Sequence, residues 1–161
     1  MSKKYYFEDL ERQKKLKQIL DEWLGTPYRH HSGAKGLGCD CIHFVFRVLE
    51  EAGILQWRKN LIPDYPRDWH LHNTRELLSE GLKERLNVEK VDLSDLIHGD
   101  IILSHYGKAA SHAAIYFAGY VYQSIDDIGV CKINFNDRLQ RRQMRFAYRV
   151  VSIKQFQGAK L

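Results

Sequence analysis

Between Phe7 and Leu24 the apolar residues Phe7, Leu10, Leu16, Ile19, Leu20, Trp23 and Leu24 recur at helical spacing, with charges on the other face. That stripe predicts an amphipathic helix buried along one side, and Gly25 is placed to stop it. A glycine-rich loop, Gly25 to Gly38, comes next. A second helical pattern starts near Cys41, with Phe44, Val45, Val48, Leu49 and Ala52 on its apolar side and Gly53 as its C-terminal stop. "LIPDYPRDWHLHN" reads as an irregular connector. "TRELLSEGLKERLNVEKV" reads as a third, shorter helix, broken or frayed at Gly81.

After Asp95 the period changes. "GDIILSH", "SHAAIYFA", "YVYQSI", "GVCKINF" and "FAYRVVSI" are short β-branched or aromatic runs separated by Gly, Asp, Asn or charge. Helices first and strands afterwards predict an α+β fold, with N-terminal helices packed against a central antiparallel sheet. No internal repeat or low-complexity tract divides the chain, so one domain over residues 1–161 is expected.

Composition narrows the partners little. An apolar content of 44 % over 161 residues is enough for a core without staples. Lys and Arg exceed Asp and Glu by five, 25 against 20, which suits a polyanionic neighbour without choosing one. The start, "MSKKYYFEDLERQKK", lacks the apolar centre of a signal peptide, and no apolar run approaches the roughly 18 residues of a membrane span. The expectation is synthesis in the cytoplasm without a signal peptide. Three cysteines do not make a disulfide framework.

Asp40 is a natural N-cap, which places Cys41 in the first turn of the second helix. Unpaired N–H groups and the helix dipole there favour a thiolate, so the thiol's pKa is expected to be lowered. A nucleophilic thiol needs a base, and the base needs an orienting partner. Among eight histidines, His112 stands out: strand alternation puts His112, Ala114 and Tyr116 on one face, which would have to pack over the start of the Cys41 helix. The next strand offers Gln123 to orient the imidazole, with Tyr122 on the opposite face as the alternative. "CDCIH" also reads as metal ligands Cys39, Cys41 and His43, but structural zinc sites prefer Cys-x-x-Cys and a second ligand pair, so no metal or other cofactor is expected. The basic run "RLQRRQMRFAYR" has the composition of a nucleic-acid surface, yet no recognised motif accompanies it and no nucleic-acid partner is expected.

These residues carry a resemblance. "GTPYRHHSGAKGLGCDC" is similar to the signature of the NlpC-type cell-wall peptidases, and "HGDIILSHYGKAASHAAIYFAG" resembles that family's second block. Together they span Trp23 to about Val130, and "PDYPRDW" resembles the branch encoded by phages and phage-like tail clusters. The resemblance implies a papain-like fold in miniature and a Cys–His–polar triad that hydrolyses amide bonds in peptidoglycan stem peptides, typically between D-glutamate and a diamino acid. It implies Cys41 as nucleophile, His112 as base, Gln123 or Tyr122 in third place, and Tyr28 with the Cys41 N–H around the oxyanion. Substrate contact would fall to Asp40, Arg29, Ser111 and Tyr122, with His30 and Ser32 as further neighbours.

The chain departs from the family where it reads Asp-Cys-Ile-His in place of Asp-Cys-Ser-Gly, and where the third position lacks its usual His. Both departures bear on the substrate pocket. The expected partner is a peptidoglycan fragment or another peptide. Phage tail proteins are a further expected association, with delivery outside the cell by a particle or a specialised secretion route. Rival readings are a papain-like amidase or acyltransferase on a non-wall substrate, a basic nucleic-acid module, and a catalytically dead tail-assembly part.

Overall fold

The computed structural model describes residues 4–66, 76–106 and 110–154. A 3₁₀ turn over Tyr6–Glu8 precedes helix α1, Leu10–Trp23, whose N-cap is Asp9: its carboxylate accepts from the Arg12 N–H at 3.0 Å. The first helix is therefore shorter than its apolar pattern suggests. Phe7 is buried from the turn, and Leu10 is exposed in the first helical turn. Leu16, Ile19, Leu20 and Trp23 make the buried stripe.

The glycine-rich segment is more ordered than a flexible loop. It folds into a small hairpin, β1 (Gly33–Ala34) against β2 (Gly38–Cys39), and its entry is stitched to the sheet. Gly25 N–H donates to the Val130 carbonyl at 2.9 Å and Val130 N–H to the Thr26 carbonyl at 2.8 Å. Gly129 makes that contact possible. Its φ is +91°, and a Cβ there would stand 2.4 Å from the Thr26 oxygen.

Helix α2, Cys41–Glu51, lies at the centre and buries Ile42, Phe44, Val45, Phe46, Val48 and Leu49. Helix α3, Leu77–Arg85, runs through Gly81 without a break, and Arg85 caps the Gly81 carbonyl from the side at 3.0 Å. The expected helix does not reach Val91, however. Asn87–Val91 is a strand, β3, at the edge of the sheet, its charged side chains facing out as edge strands require. Thr74 and Arg75, the expected beginning of that helix, lie outside the described residues, as do His70 and His72 of the connector.

The remaining strands are β4 (Ile101–His105), β5 (Ala110–Phe117), β6 (Tyr120–Ile125), β7 (Gly129–Asn134) and β8 (Met144–Ser152), with a four-residue helix α4 (Arg138–Arg141) before the last. They form one antiparallel sheet in the order β3-β8-β4-β5-β6-β7. The main core lies between the sheet and α1, α2 and α3. A smaller apolar cluster of Ile102, Ala114, Val121, Met144 and Ala147 covers the other face. The fold is α+β, helices on an antiparallel sheet, as the order of patterns predicts. No helix among the described residues is long and apolar enough to cross a membrane.

Two irregularities sit at one level of the sheet. On β5 the register passes from Ser104 opposite His112 to His105 opposite Ala110, leaving Ser111 unopposed. On β8 it passes from Leu103 opposite Phe146 to Ser104 opposite Met144, leaving Arg145 unopposed. Bulges on both neighbours of β4 bend the sheet at the end where the cleft opens. At the other end of β4, Arg149 forks onto the buried Asp100, donating at 3.0 and 2.9 Å, so the Gly-Asp pair anchors the strand. That contact removes Arg149 from the basic run, which is split between α4 and β8.

Candidate active site

Cys41 is the first residue of α2. Asp40 caps the helix, its Oδ1 accepting the His43 N–H at 2.8 Å. The sulfur lies 3.9 Å from the Ser111 carbonyl and also faces the Ala113 N–H, so it rests on β5 at the residues either side of His112. Cys41 and His112 line one cleft of about 440 Å³, together with Tyr28, His30, Tyr65, Tyr106, Ser111 and Gln140. The His112 imidazole bonds through Nε2 to Gln123 Oε1 at 2.6 Å, and the Tyr106 ring stands edge-on to it at 5.5 Å.

The route by which His112 reaches the cleft differs from the expected one. Ala114 and Tyr116 belong to the cluster on the face away from α2, whereas Ala113, Ile115 and Phe117 face the helices. The imidazole is therefore presented at the beginning of β5, beside the bulge, and not from a face packed over the Cys41 helix. Of the two candidates for its partner, Gln123 touches the ring. Tyr122 is buried on the helix side, where its hydroxyl donates to Asp21 at 3.0 Å. The Gln123 Nε2 is buried and has no hydrogen-bond partner among the described residues.

The protonation states also correct an expectation. Although part of residue 41 faces the cleft, the sulfur is packed round by protein, and that burial, with the Asp40 charge adding, pushes the thiol up to about 12. The N–H groups of Ala113, Ile42 and Cys41 pull the other way and do not offset it. The helix start alone does not decide the thiol's acidity. Burial likewise moves His112 below its ordinary 6.5, against the raising effect of the Gln123 bond. Both shifts favour the uncharged forms, a thiol and a neutral imidazole. If the Gln123 oxygen accepts from Nε2–H, the nitrogen carrying a lone pair is Nδ1.

The expected substrate-contact residues divide. Ser111 stays in the cleft, its hydroxyl donating to the Tyr106 carbonyl at 3.1 Å. Tyr28 lines the cleft from the strand-like segment that bridges Cys39. Arg29 does not line it. This exposed residue packs its stem against Gly38, where an added Cβ would meet Arg29 Cβ at 2.7 Å. Tyr122 is turned away, as above. Asp40 borders the cleft but is only 1 % exposed, and both its oxygens accept from protein donors, so its main contacts are to the helix and its neighbours. Ser32 contributes a carbonyl to the Asp40 N–H.

Cys39 is fully buried in the main core, and that burial raises its thiol to about 11. Among the described residues no three His, Cys, Asp or Glu side chains converge as metal ligands. Tyr65, Tyr106, His43 and Gln140 carry no sequence signal strong enough to single them out for this site. Tyr65 comes from the Asp-Tyr-Pro stretch of the connector, and its hydroxyl donates to Asp40 Oδ2.

A search of curated proteins finds no match. Among solved structures, a lipoprotein-like NLP/P60 protein from Staphylococcus aureus Mu50 superposes with TM-score 0.65 at 18 % identity, over 96 % of this chain and 46 % of that one. An NlpC/P60 family protein from Bacillus cereus gives 0.61 at 24 % identity, over 86 % and 40 %. The peptidoglycan hydrolase RipB from Mycobacterium tuberculosis gives 0.56 at 15 % identity, over 88 % and 65 %. The chain thus spans under half the length of the first two, and at these identities the likeness is one of fold. The NlpC/P60 family profile matches residues 25–145, from the glycine-rich loop through the cysteine helix and the histidine strand to β8. With three quarters of its length inside that profile, this chain belongs to the NlpC/P60 family.

Proposed function

We propose that the chain is a cysteine hydrolase acting on amide bonds of peptidoglycan stem peptides, with Cys41 as nucleophile, His112 as base and Gln123 as the residue that orients it. The observation that carries this reading is the meeting of Cys41 and His112 in one cleft, the sulfur resting against the backbone on both sides of the imidazole. Family membership supports cysteine hydrolysis. The description of a structural neighbour, RipB, as a peptidoglycan hydrolase supports the wall as substrate.

The reaction starts from the uncharged pair. The Cys41 proton passes to His112 Nδ1 as the sulfur attacks the carbonyl carbon. Charge gathers on the carbonyl oxygen and is taken up by the Cys41 N–H and the Tyr28 hydroxyl. The C–N bond breaks as the imidazolium returns the proton to the leaving amine, and a thioester remains on Cys41. Water, deprotonated by the same imidazole, hydrolyses it. The finer assignment, a bond between D-glutamate and a diamino acid, rests on the family resemblance. Ile42, in place of Ser, lines the cleft beside the nucleophile, and His43, in place of Gly, lies buried behind it against Asp40.

The test is digestion of purified muropeptides by the wild type beside Cys41→Ala, read by mass spectrometry. Cleavage by the wild type alone is expected, and the fragment masses identify the bond. Intact muropeptides would retire the wall substrate.

A further inference from the structure

The Asp40 carboxylate is held by more donors than a helix cap requires. One accepted backbone N–H is enough for an N-cap, and His43 N–H supplies it. Three more donors converge on the same buried group. The His43 ring donates from Nδ1 to Oδ1 at 2.8 Å, the His31 N–H donates to Oδ2 at 2.7 Å, and the Tyr65 hydroxyl donates to Oδ2. These come from three separate stretches: the glycine-rich segment, the first turn of α2 and the connector.

The surroundings fix the two side-chain donors in place. Tyr65 is clasped by His30, whose ring stands edge-on at 5.1 Å and whose Nε2 meets the Tyr65 carbonyl at 3.2 Å. The His43 ring is flanked by His31 at 5.0 Å and Trp57 at 6.2 Å. His31 is in turn tied through Nε2 to Asp64 at 2.6 Å, and the Arg47 guanidinium lies over Trp57 at 3.4 Å. The charged and titratable groups facing the Asp40–His43 pair are thus His31, Tyr65 and the Cys41 thiol, with Asp64, His30 and Arg47 behind them. His43 stands where the family's Gly would leave no side chain at all.

Asp40 directly precedes the nucleophile, and its negative charge opposes a second negative charge on Cys41. Burial would raise the Asp40 carboxyl, but the His43 and Tyr65 hydrogen bonds outweigh it and hold the group ionised. The charge beside the sulfur is therefore permanent at working pH, and what varies is how far donors draw it away. We propose that His43 and Tyr65 are positioning residues that turn the Asp40 carboxylate from the Cys41 sulfur and offset its charge, making the thiol easier to ionise.

This rests on Cys41 being the nucleophile, and its test uses no substrate, so it stands or falls apart from muropeptide digestion. The measurement is the rate of iodoacetamide alkylation at Cys41 from neutral to mildly alkaline pH, read on the Cys41 peptide by mass spectrometry so that Cys39 and Cys131 are separated. Tyr65→Phe, which removes one oxygen, and His43→Leu, which removes the ring donor, are each expected to slow alkylation by roughly threefold to tenfold at a given pH. His43→Asn, which returns a donor at that position, is expected to restore most of the rate. A merely structural role predicts the opposite sign, because loosening the cluster would expose the sulfur and speed alkylation. An unchanged or faster rate in folded Tyr65→Phe overturns the proposal, whatever the stability of the His43 variants.

Discussion

On one side of Cys41, four donors from the loop, the helix and the connector close on Asp40; on the other, His112 has one side-chain hydrogen bond among the described residues, to Gln123. The first side is saturated and holds a fixed charge. The second is sparing, and Gln123 keeps a buried Nε2 with no partner among the described residues. The difference matches what each side must do. A carboxylate that never changes state can be pinned from every direction, whereas an imidazole that gains and loses a proton must keep one nitrogen free. On the proposed mechanism the loop side fixes geometry and tempers the charge beside the sulfur, and the strand side carries the proton transfer.

Substitutions can break that division. Cys41→Ala is expected to abolish turnover while leaving the melting temperature close to wild type, because one small half-buried residue replaces another; kinetics on muropeptides beside a thermal melt check both. His112→Ala is expected to lower kcat by roughly 10²–10⁴ with little loss of stability. Gln123→Ala should cost less, on the order of tenfold, because it sets orientation and tautomer and leaves the base in place. If Tyr122→Phe proves the more damaging of the two, the assignment of the orienting residue is wrong. On the loop side the expected loss is in folding: Asp40→Ala removes the cap and orphans the buried donors, for about 2–4 kcal/mol by denaturant unfolding.

The pH dependence sharpens the same contrast. Burial holds His112 below 6.5, so the imidazole stays in its neutral, proton-accepting form through neutral pH, and activity falls only as pH drops through that lowered value. The acid limb of kcat/KM is expected below 6.5 and should be absent from the residual activity of His112→Ala. The linkage has the same sign for folding: the unfolded chain takes up the proton first, so this group costs stability as pH falls below 6.5. A limb above 6.5 would point to another group.

How much of this was legible follows from the range of each interaction. Asp40 as cap, and hence Cys41 at a helix start, is a local signal within four residues, and the structure has both. The strands after Asp95 were readable from their period, and β6 matches its predicted run residue for residue. β3 was missed because an edge strand with outward charges, following Leu86 and a helix, has the composition of more helix. Gly81 misled because glycine lowers helix propensity without forbidding it, and packing of Leu78 and Leu82 decides there. The site's less legible parts are long-range. Tyr65 reaches Asp40 across 25 residues, and nothing in a connector's composition forecasts that. The thiol's acidity is illegible for a related reason: the helix start is visible in sequence, but the protein packed round the sulfur is not.

The central claim is that Cys41 gives its proton to His112. Its most direct test is the alkylation rate at Cys41 as a function of pH in the wild type and in His112→Ala. The account predicts a slower rate in the variant at neutral pH and loss of the wild type's inflection in the range where the imidazole titrates. Superimposable profiles would contradict it.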